Sequence, residues 1–376
     1  MKTDNPFIYM NNAATSWPKP DSVARSVSKA IQNPPGSMHR GGLETFDVFS
    51  EVRKHLAVLL GISCPEQIAL GANATWGLNL ALFGFPFEAG DVVVTTKAEH
   101  NSVLRPLYEL TKQKGIKVIC LDTDETGRVP LSLWEETIRQ TNPKLAVFVH
   151  GSNVTGAVCD AAAMTAAAKA NGAKVLIDAS QTLGFLPLKA ESWGADMVAF
   201  TGHKYLLGPQ GTGGLMVSKD ITLHPHLTGG TGIHSDSDTM PDDMPLHLEA
   251  GTGNEPSYHG LLAALQWQSE HPLCLEDETR KLNFLKSGLE KAGAKVICPD
   301  GLCTPVISFS LPGEKASDVG FILQQSYDII CRTGIHCAPR IFSCLPFDES
   351  IRLSLSRFTT MVEISTVISA VEDIIV

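Results

Sequence analysis

Between Gln67 and Ser218 the chain repeats one pattern: a short, almost wholly apolar run followed by a longer helix-like segment. The runs are "QIAL", "DVVVTT", "IKVICL", "LAVFVH", "KVLID", "MVAF" and "GGLMVS". Strands apolar at nearly every position are buried on both faces, and strands that alternate with helices pair in parallel. The stretch therefore predicts an α/β unit whose mostly parallel, seven-stranded sheet lies between helices. Four of the runs lead straight into polar clusters: "AEHNS", "HGSN", "DASQ" and "TGHK". An open α/β sheet places its ligand crevice beyond the carboxyl ends of its strands. Those four clusters are expected on one edge.

After "EAGTGNEPSYHGLLAALQWQ" the apolar runs thin out to "AKVIC", "TPVISFSL", "DIICRTG" and "SIRLSLS". The last alternates polar and apolar residues, which predicts a half-exposed antiparallel sheet in a smaller C-terminal α/β domain. "EISTVISAVEDIIV" reads as a closing amphipathic helix. A chain of 376 residues suits two unequal domains, expected at 1–265 and 266–376.

Several function classes drop out. A formal net charge of -10 with no polybasic run argues against nucleic acid as a partner. The N-terminal "MKTDNPFIYMNNAATS" has no signal-like apolar stretch, and no run reaches the length of a membrane span. Nine cysteines at irregular spacings do not form a disulfide framework and point to a reducing cytoplasm. Cys64, Cys120, Cys159 and Cys298 fall in or beside apolar segments and read as core. Nucleotide-binding G-x-G-x-x-G and G-x-x-x-x-G-K-[ST] fingerprints are absent. Cys331, His336, Cys337 and Cys344 lack zinc-site spacing, so no metal is expected.

Lys204 lies in the turn that leaves "MVAF" and enters "GPQGTGG", at the expected ligand edge. Lysine amines form Schiff bases with carbonyl cofactors when desolvation lowers their pKa. A strand-end lysine before a glycine-rich hairpin is an equal reading. Asp178 closes "KVLID", where a buried carboxylate needs a positive partner such as a pyridinium nitrogen. As a helix cap it would need none. The two together, in an α/β frame, favour the cofactor.

From "YMNNAATSWPKP" through "EHNS", "HGSNVTGAV", "DASQ", "TGHKYLLGPQGTGGL" and "EAGTGN" to "RTGIHCAP" and "IRLSLSRFTT", the chain resembles the class V, fold-type I pyridoxal-phosphate enzymes. Within them it is similar to the cysteine desulfurases of the SufS and selenocysteine-lyase type. The resemblance implies that Lys204 holds pyridoxal 5'-phosphate as a Schiff base and moves the substrate's Cα proton. It implies that Asp178 pairs with the pyridinium nitrogen, that Gln181 lies near the phenolic oxygen and that His100 stacks on the ring as acid or base. Thr75, Thr201 and His203 would hold the phosphate with a backbone amide of the helix at Ala74. Thr252 would reach the phosphate of a second subunit, which implies a homodimer. Asn153 and Arg352 would grip the substrate carboxylate with Asn12 close by, while His39 and Arg40 fall in "SMHRGGLETF", which resembles the loop at the site's mouth and reads more readily as a solvated loop. Cys337 would take sulfur from L-cysteine, leaving L-alanine and a persulfide that passes to an acceptor protein or thiol. Iron–sulfur cluster assembly is one destination. His336 and Arg332 are the candidates for stabilising the thiolate.

Some positions depart from the resemblance. Ile335 stands where a second histidine is common, which bears on the acceptor. Ala74 and Trp76 replace a threonine and a glutamate, so a hydroxyl contact is lost and Trp76 is placed to crowd or stack near the cofactor. Cys344 reads as buried, with sulfur acceptance as the alternative. Competing activities are selenocysteine lyase, which can dispense with Cys337, and class V aminotransferase or lyase chemistry, which has no use for it. A non-catalytic scaffold is disfavoured because Lys204, Asp178, His100, Cys337 and Arg352 are all present.

Overall fold

The computed structural model describes residues 7–34, 46–233 and 236–375. In chain order the strands are β1 (Ile8–Tyr9), β2 (Ile68–Gly71), β3 (Val92–Thr96), β4 (Lys117–Leu121), β5 (Leu145–Val149), β6 (Lys174–Asp178), β7 (Met197–Thr201) and β8 (Gly213–Val217). They continue with β9 (Lys295–Ile297), β10 (Val306–Ser310), β11 (Ile329–Ile330), β12 (Arg332–Gly334) and β13 (Ser350–Ser354). The helices are α1 (Asp21–Gln32), α2 (Val48–Leu60), α3 (Ala74–Gly84), α4 (Asn101–Gln113), α5 (Leu131–Thr141), α6 (Ala161–Ala170) and α7 (Ala190–Trp193). The last four are α8 (Glu255–Glu270), α9 (Leu275–Lys291), α10 (Ala316–Tyr327) and α11 (Met361–Ile375).

The seven apolar runs become β2 to β8, one sheet in the order β2-β8-β7-β6-β5-β3-β4. All its pairings are parallel except the two made by β8. Alternate residues of each strand feed separate cores. Leu145 and Val147 of β5 join α3 and α4 on one face, while Ala146 and Phe148 join α2, α5, α6 and α8 on the other. Burial on both faces explains the lack of polar alternation. Glycine at 213 lets β8 pass under the start of α3, since a Cβ there would lie 2.6 Å from Asn73 Cα.

The second sheet runs β12-β13-β10-β9, antiparallel throughout, with α9, α10 and α11 packed against it. β1 pairs in parallel with β11, and Met10 enters this smaller core, so the N-terminal segment joins the C-terminal layer. α8 runs unbroken through residue 265.

The expectation of a half-exposed last strand needs correction. Every residue of β13 is buried. Ile351 and Leu353 face the small core, whereas Ser350, Arg352 and Ser354 make polar contacts towards the first sheet. The alternation marks a strand between a core and a polar site, not between a core and water. Likewise, of the four cysteines read as core, only Cys298 is buried; Cys64, Cys120 and Cys159 are half-buried.

Candidate active site

The carboxyl ends of β2, β3, β5, β6 and β7 open on a cavity of ≈ 250 Å³. Ala74, Thr75, His100, Asn153, Asp178, Gln181, Thr201, His203 and Lys204 all line it, so nine side chains or backbone positions singled out in the sequence meet at one edge. The convergence follows from topology, because each residue lies within a few positions of a strand end on the same side of the sheet.

At one end α3 begins. The Asn73 side chain caps it by accepting from Trp76 N (2.9 Å), and Ala74 and Thr75 lie ahead of that amide in the first turn. Unpaired amides and the positive end of the helix dipole suit a dianion. Trp76 does not crowd this cavity: its indole covers Gly71, where a Cβ would fall 2.2 Å from the ring, and it lines a different cavity. Thr75 Oγ1 shares a hydrogen bond with Ser102 Oγ (2.7 Å), which lies 2.9 Å from His100 Nδ1. His100 Nδ1 also accepts from Ser102 N (3.0 Å), so the neutral ring carries its proton on Nε2. Burial, together with Lys204, pushes the His100 pKa down to about 4. Ser102, the last residue of the "AEHNS" cluster, fixes the ring and links it to Thr75.

The floor carries Asp178 and Lys204. Asp178 Oδ1 accepts from Ser180 N (2.9 Å) and from Ser180 Oγ, while Oδ2 receives no hydrogen bond from a described residue. Desolvation lowers the Lys204 amine to about 8, and nearby Arg352 and Arg332 add to that against the opposing pull of Asp178. His203 is driven down to about 4, first by burial and then by Lys204 and Lys19. Three buried polar atoms of residues that line the cavity have no partner among the described residues: Gln181 Oε1, Asn153 Oδ1 and His203 Nδ1. Stranded polar atoms are costly unless a ligand meets them. A group with a phosphate, a cationic ring nitrogen and further polar substituents fits that set.

Arg332 of β12 lines one wall of the cavity, and β13 pairs with that strand. Arg332 and Arg352 sit opposite each other in register. Arg352 is fully buried, donates to Asn153 O (2.9 Å) and Asn11 Oδ1 (2.8 Å), and keeps a buried, unpartnered Nε. Burial and the neighbouring Arg332 lower its pKa to about 10. Neither arginine has a carboxylate partner among the described residues. A guanidinium without a carboxylate partner suits an added carboxylate, and of the two only Arg332 lines the cavity. Asn12 is not part of it, since its amide is spent on Ser354 O (2.9 Å) and Trp17 N (3.0 Å); Asn11 touches Arg352 instead.

Cys337 sits at the edge of this wall. Arg332, which lines the cavity, places Nη2 2.9 Å from Cys337 Sγ. The loop is tied by Asn101 N donating to Cys337 O (2.8 Å) and Asn153 Nδ2 donating to His336 O (2.8 Å). His336 and Cys337 both have left-handed backbones, at φ 48° and 61°. Such geometry persists only where surroundings impose it. His336 is buried against Ser350 and its pKa is pushed down to about 2, mainly by desolvation, so it offers the thiolate no charge. Arg332 is the cation in contact with Cys337 Sγ. Cys344 is half-buried beside Asp122, not core, and Ile335 is 48% exposed. Thr252 is exposed and lines a second cavity of ≈ 300 Å³ with Trp76, away from Lys204. His39 and Arg40 lie outside the described residues.

The family model for aminotransferase class-V matches residues 8–367. A probable cysteine desulfurase of Pyrococcus abyssi is 30% identical over 98% of this chain and 94% of the relative. Probable cysteine desulfurase 2 of Mycobacterium leprae is 30% identical over 99% of this chain and 92% of its own length. Among solved structures, the apo cysteine desulfurase of Thermococcus onnurineus superposes with a TM-score of 0.91 at 29% identity, covering 98% of this chain and 94% of that one.

Proposed function

The chain belongs to the aminotransferase class-V family, and from that premise we propose that it is a pyridoxal-phosphate-dependent cysteine desulfurase converting L-cysteine to L-alanine with a persulfide on Cys337. The observation that supports this reading is the Arg332–Cys337 contact of 2.9 Å, which ties the thiol to an arginine that lines the cavity together with Lys204, Asp178 and His100.

The residues fit the cofactor. Ala74, Thr75, Thr201 and His203 would hold its phosphate, Asp178 its ring nitrogen, Gln181 and Asn153 its other polar substituents, and His100 its ring face. When bound, pyridoxal phosphate supplies an aldehyde carbon for an amine and an electron sink for charge developing at the substrate's Cα. Lys204, with its amine already lowered to about 8, takes up and returns the proton at Cα. Arg352 and Arg332 orient the substrate carboxylate. Asn153 stands between the two halves, since its Nδ2 steadies the cysteine loop while its Oδ1 faces the cavity. At Cys337 an Sγ–S bond forms as the substrate's Cβ–S bond breaks. The proton that leaves the Cys337 thiol balances the one gained at Cβ, so alanine departs and the sulfur stays on the enzyme.

We extend the reading to a homodimer in which Thr252 reaches the partner's phosphate, to an acceptor protein or thiol, and to the cytoplasm. Among the described residues no helix is long and apolar enough to cross a membrane. The units at 1–265 and 266–376 are proposed as large and small domains that share the site. Purified enzyme loaded with cofactor should form alanine from L-cysteine and carry an alkylatable persulfide that maps to Cys337. Keto-acid formation without a persulfide would instead indicate an aminotransferase.

A further inference from the structure

His336 is a buried histidine with no task in the reaction, yet its ring ends a hydrogen-bonded relay whose direction can be worked out atom by atom. Ser308 Oγ donates to Val154 O (2.6 Å), and a carbonyl oxygen can only accept. That bond spends the one hydroxyl proton of Ser308, so its oxygen accepts from Ser350 Oγ (3.2 Å). Ser350 then has no proton left for the imidazole and accepts from His336 Nε2 (2.9 Å). The last acceptor thus fixes the whole chain, and His336 is the Nε2–H tautomer. Its Nδ1 is buried with no partner among the described residues. Ser308 and Ser350 are fully buried as well.

The relay crosses two strands. Ser350 opens β13, and Ser308 lies in the middle of β10 in register with Arg352. It ends on the loop after β5, where Asn153, the neighbour of Val154, donates Nδ2 to His336 O (2.8 Å). His336 is therefore gripped by its ring and by its carbonyl, and both grips end on adjacent residues of one loop. On the far side of Cys337, Ala338 shares a small apolar cluster with Val154. Asn101 N donates to Cys337 O (2.8 Å), and Ala338 N closes on Ile335 O (3.0 Å). The left-handed backbones of His336 and Cys337 need surroundings that impose them, and these contacts surround them on every side.

We propose that His336, through Ser350 and Ser308, is a positioning residue that holds the Cys337 loop in its left-handed form and the thiol against Arg332. Its part in sulfur transfer rests on the desulfurase reading; the hold on the loop does not. Ser350→Ala removes one oxygen, leaves a buried Nε2–H without an acceptor, and alters neither Cys337 nor the groups that would hold the cofactor. Displacing a reacting group by about 1 Å is enough to slow a reaction ~10²-fold.

The test uses the full-length, cofactor-loaded protein and two readouts. Hydrogen exchange at Asn101 and Ala338, whose amides close the loop, should quicken roughly 10-fold in Ser350→Ala. Single-turnover persulfide formation, followed on the tryptic peptide 333–340 in which Cys337 is the one cysteine, should slow roughly 10–10²-fold. KM for L-cysteine and the cofactor's visible spectrum should stay at wild-type values. His336→Gln, whose amide can still donate to Ser350, should keep most of the rate that His336→Phe loses. Wild-type exchange in both Ser350→Ala and His336→Phe would overturn the proposal. So would wild-type persulfide formation in a variant whose loop exchanges faster. If the wild-type protein formed no persulfide, the desulfurase reading would fail, and the exchange comparison would still decide whether His336 holds the loop.

Discussion

The floor of the cavity, made by Lys204, Asp178 and His100, leaves strands that are buried on both faces, whereas the wall side, where Arg332 lines the cavity with Arg352 and Cys337 beside it, stands on a small antiparallel sheet and a left-handed loop. The floor is a set of unmet demands: stranded oxygens and nitrogens, an open helix start and an amine whose charge burial opposes. The wall is an excess of positive charge with a single thiol against it. On the proposed reading, one surface holds a cofactor that stays and the other a substrate that comes and goes. The difference teaches that holding the cofactor and moving sulfur are separable here. Substitutions in the two regions should fail in different ways.

The largest effect is expected at the floor. Lys204→Ala removes the group that moves the Cα proton, and general acid–base and covalent contributions together make a loss of at least ~10³-fold in alanine formation the expected scale. The visible spectrum of the loaded protein should change with it. If turnover persisted, the floor would not be the chemical centre. Next, Cys337→Ala should cut alanine formation from L-cysteine by ~10²-fold or more while the cofactor spectrum remains that of the wild type. A spectrum lost along with activity would merge the two regions. Activity retained on L-selenocysteine alone would sharpen the contrast, because that substrate can release its chalcogen without a protein thiol.

Arg352→Lys comes third. A point charge replaces a fork that already spends two donors on Asn153 O and Asn11 Oδ1. Charged hydrogen bonds contribute about 1.5–3 kcal/mol, so KM for L-cysteine should rise ~10–10²-fold with a smaller change in kcat. A fall in kcat with KM unchanged would mean that the wall does not hold the carboxylate.

The floor was legible in the sequence because a polar residue that ends an all-apolar run has one place to go, the edge of the sheet. Lys204, Asp178 and His100 each carry that signature. The wall was legible only in part. Alternation in "SIRLSLS" looks the same whether the polar face meets water or an active site, and Arg352 proved fully buried. Ser102 and Asn11 fall within "AEHNS" and "YMNNAATSWPKP" but had no signature of their own, since a serine in the first turn of a helix and an asparagine in a loop are ordinary capping residues. Trp76 was misjudged because helix position alone does not say that a glycine at 71 opens room for an indole on the other side.

Glu99 tests the floor from beneath, with the smallest effect on turnover. It is wholly buried between β3 and β5, where Oε1 accepts from Thr96 Oγ1 (2.6 Å) and Val149 N (2.9 Å), and Oε2 has no partner among the described residues. Desolvation raises its pKa from 4.5 to about 8, and Asp178 adds to the rise. A carboxyl that stays protonated in the folded chain but ionises in the unfolded one penalises folding as pH climbs. Stability should therefore decline from about pH 4.5 to about pH 8 on this account, by at most ~1.4 kcal/mol per pH unit, and then level off. Glu99→Gln keeps the accepting oxygen and removes the titration. The variant should match wild-type activity near neutrality, and its melting temperature, followed from pH 5 to pH 9, should lack that decline. A variant whose stability falls with pH in parallel with wild type would show that Glu99 is already ionised. A second negative charge would then lie close to Asp178, and the floor's affinity for a cationic ring would rest on two carboxylates instead of one.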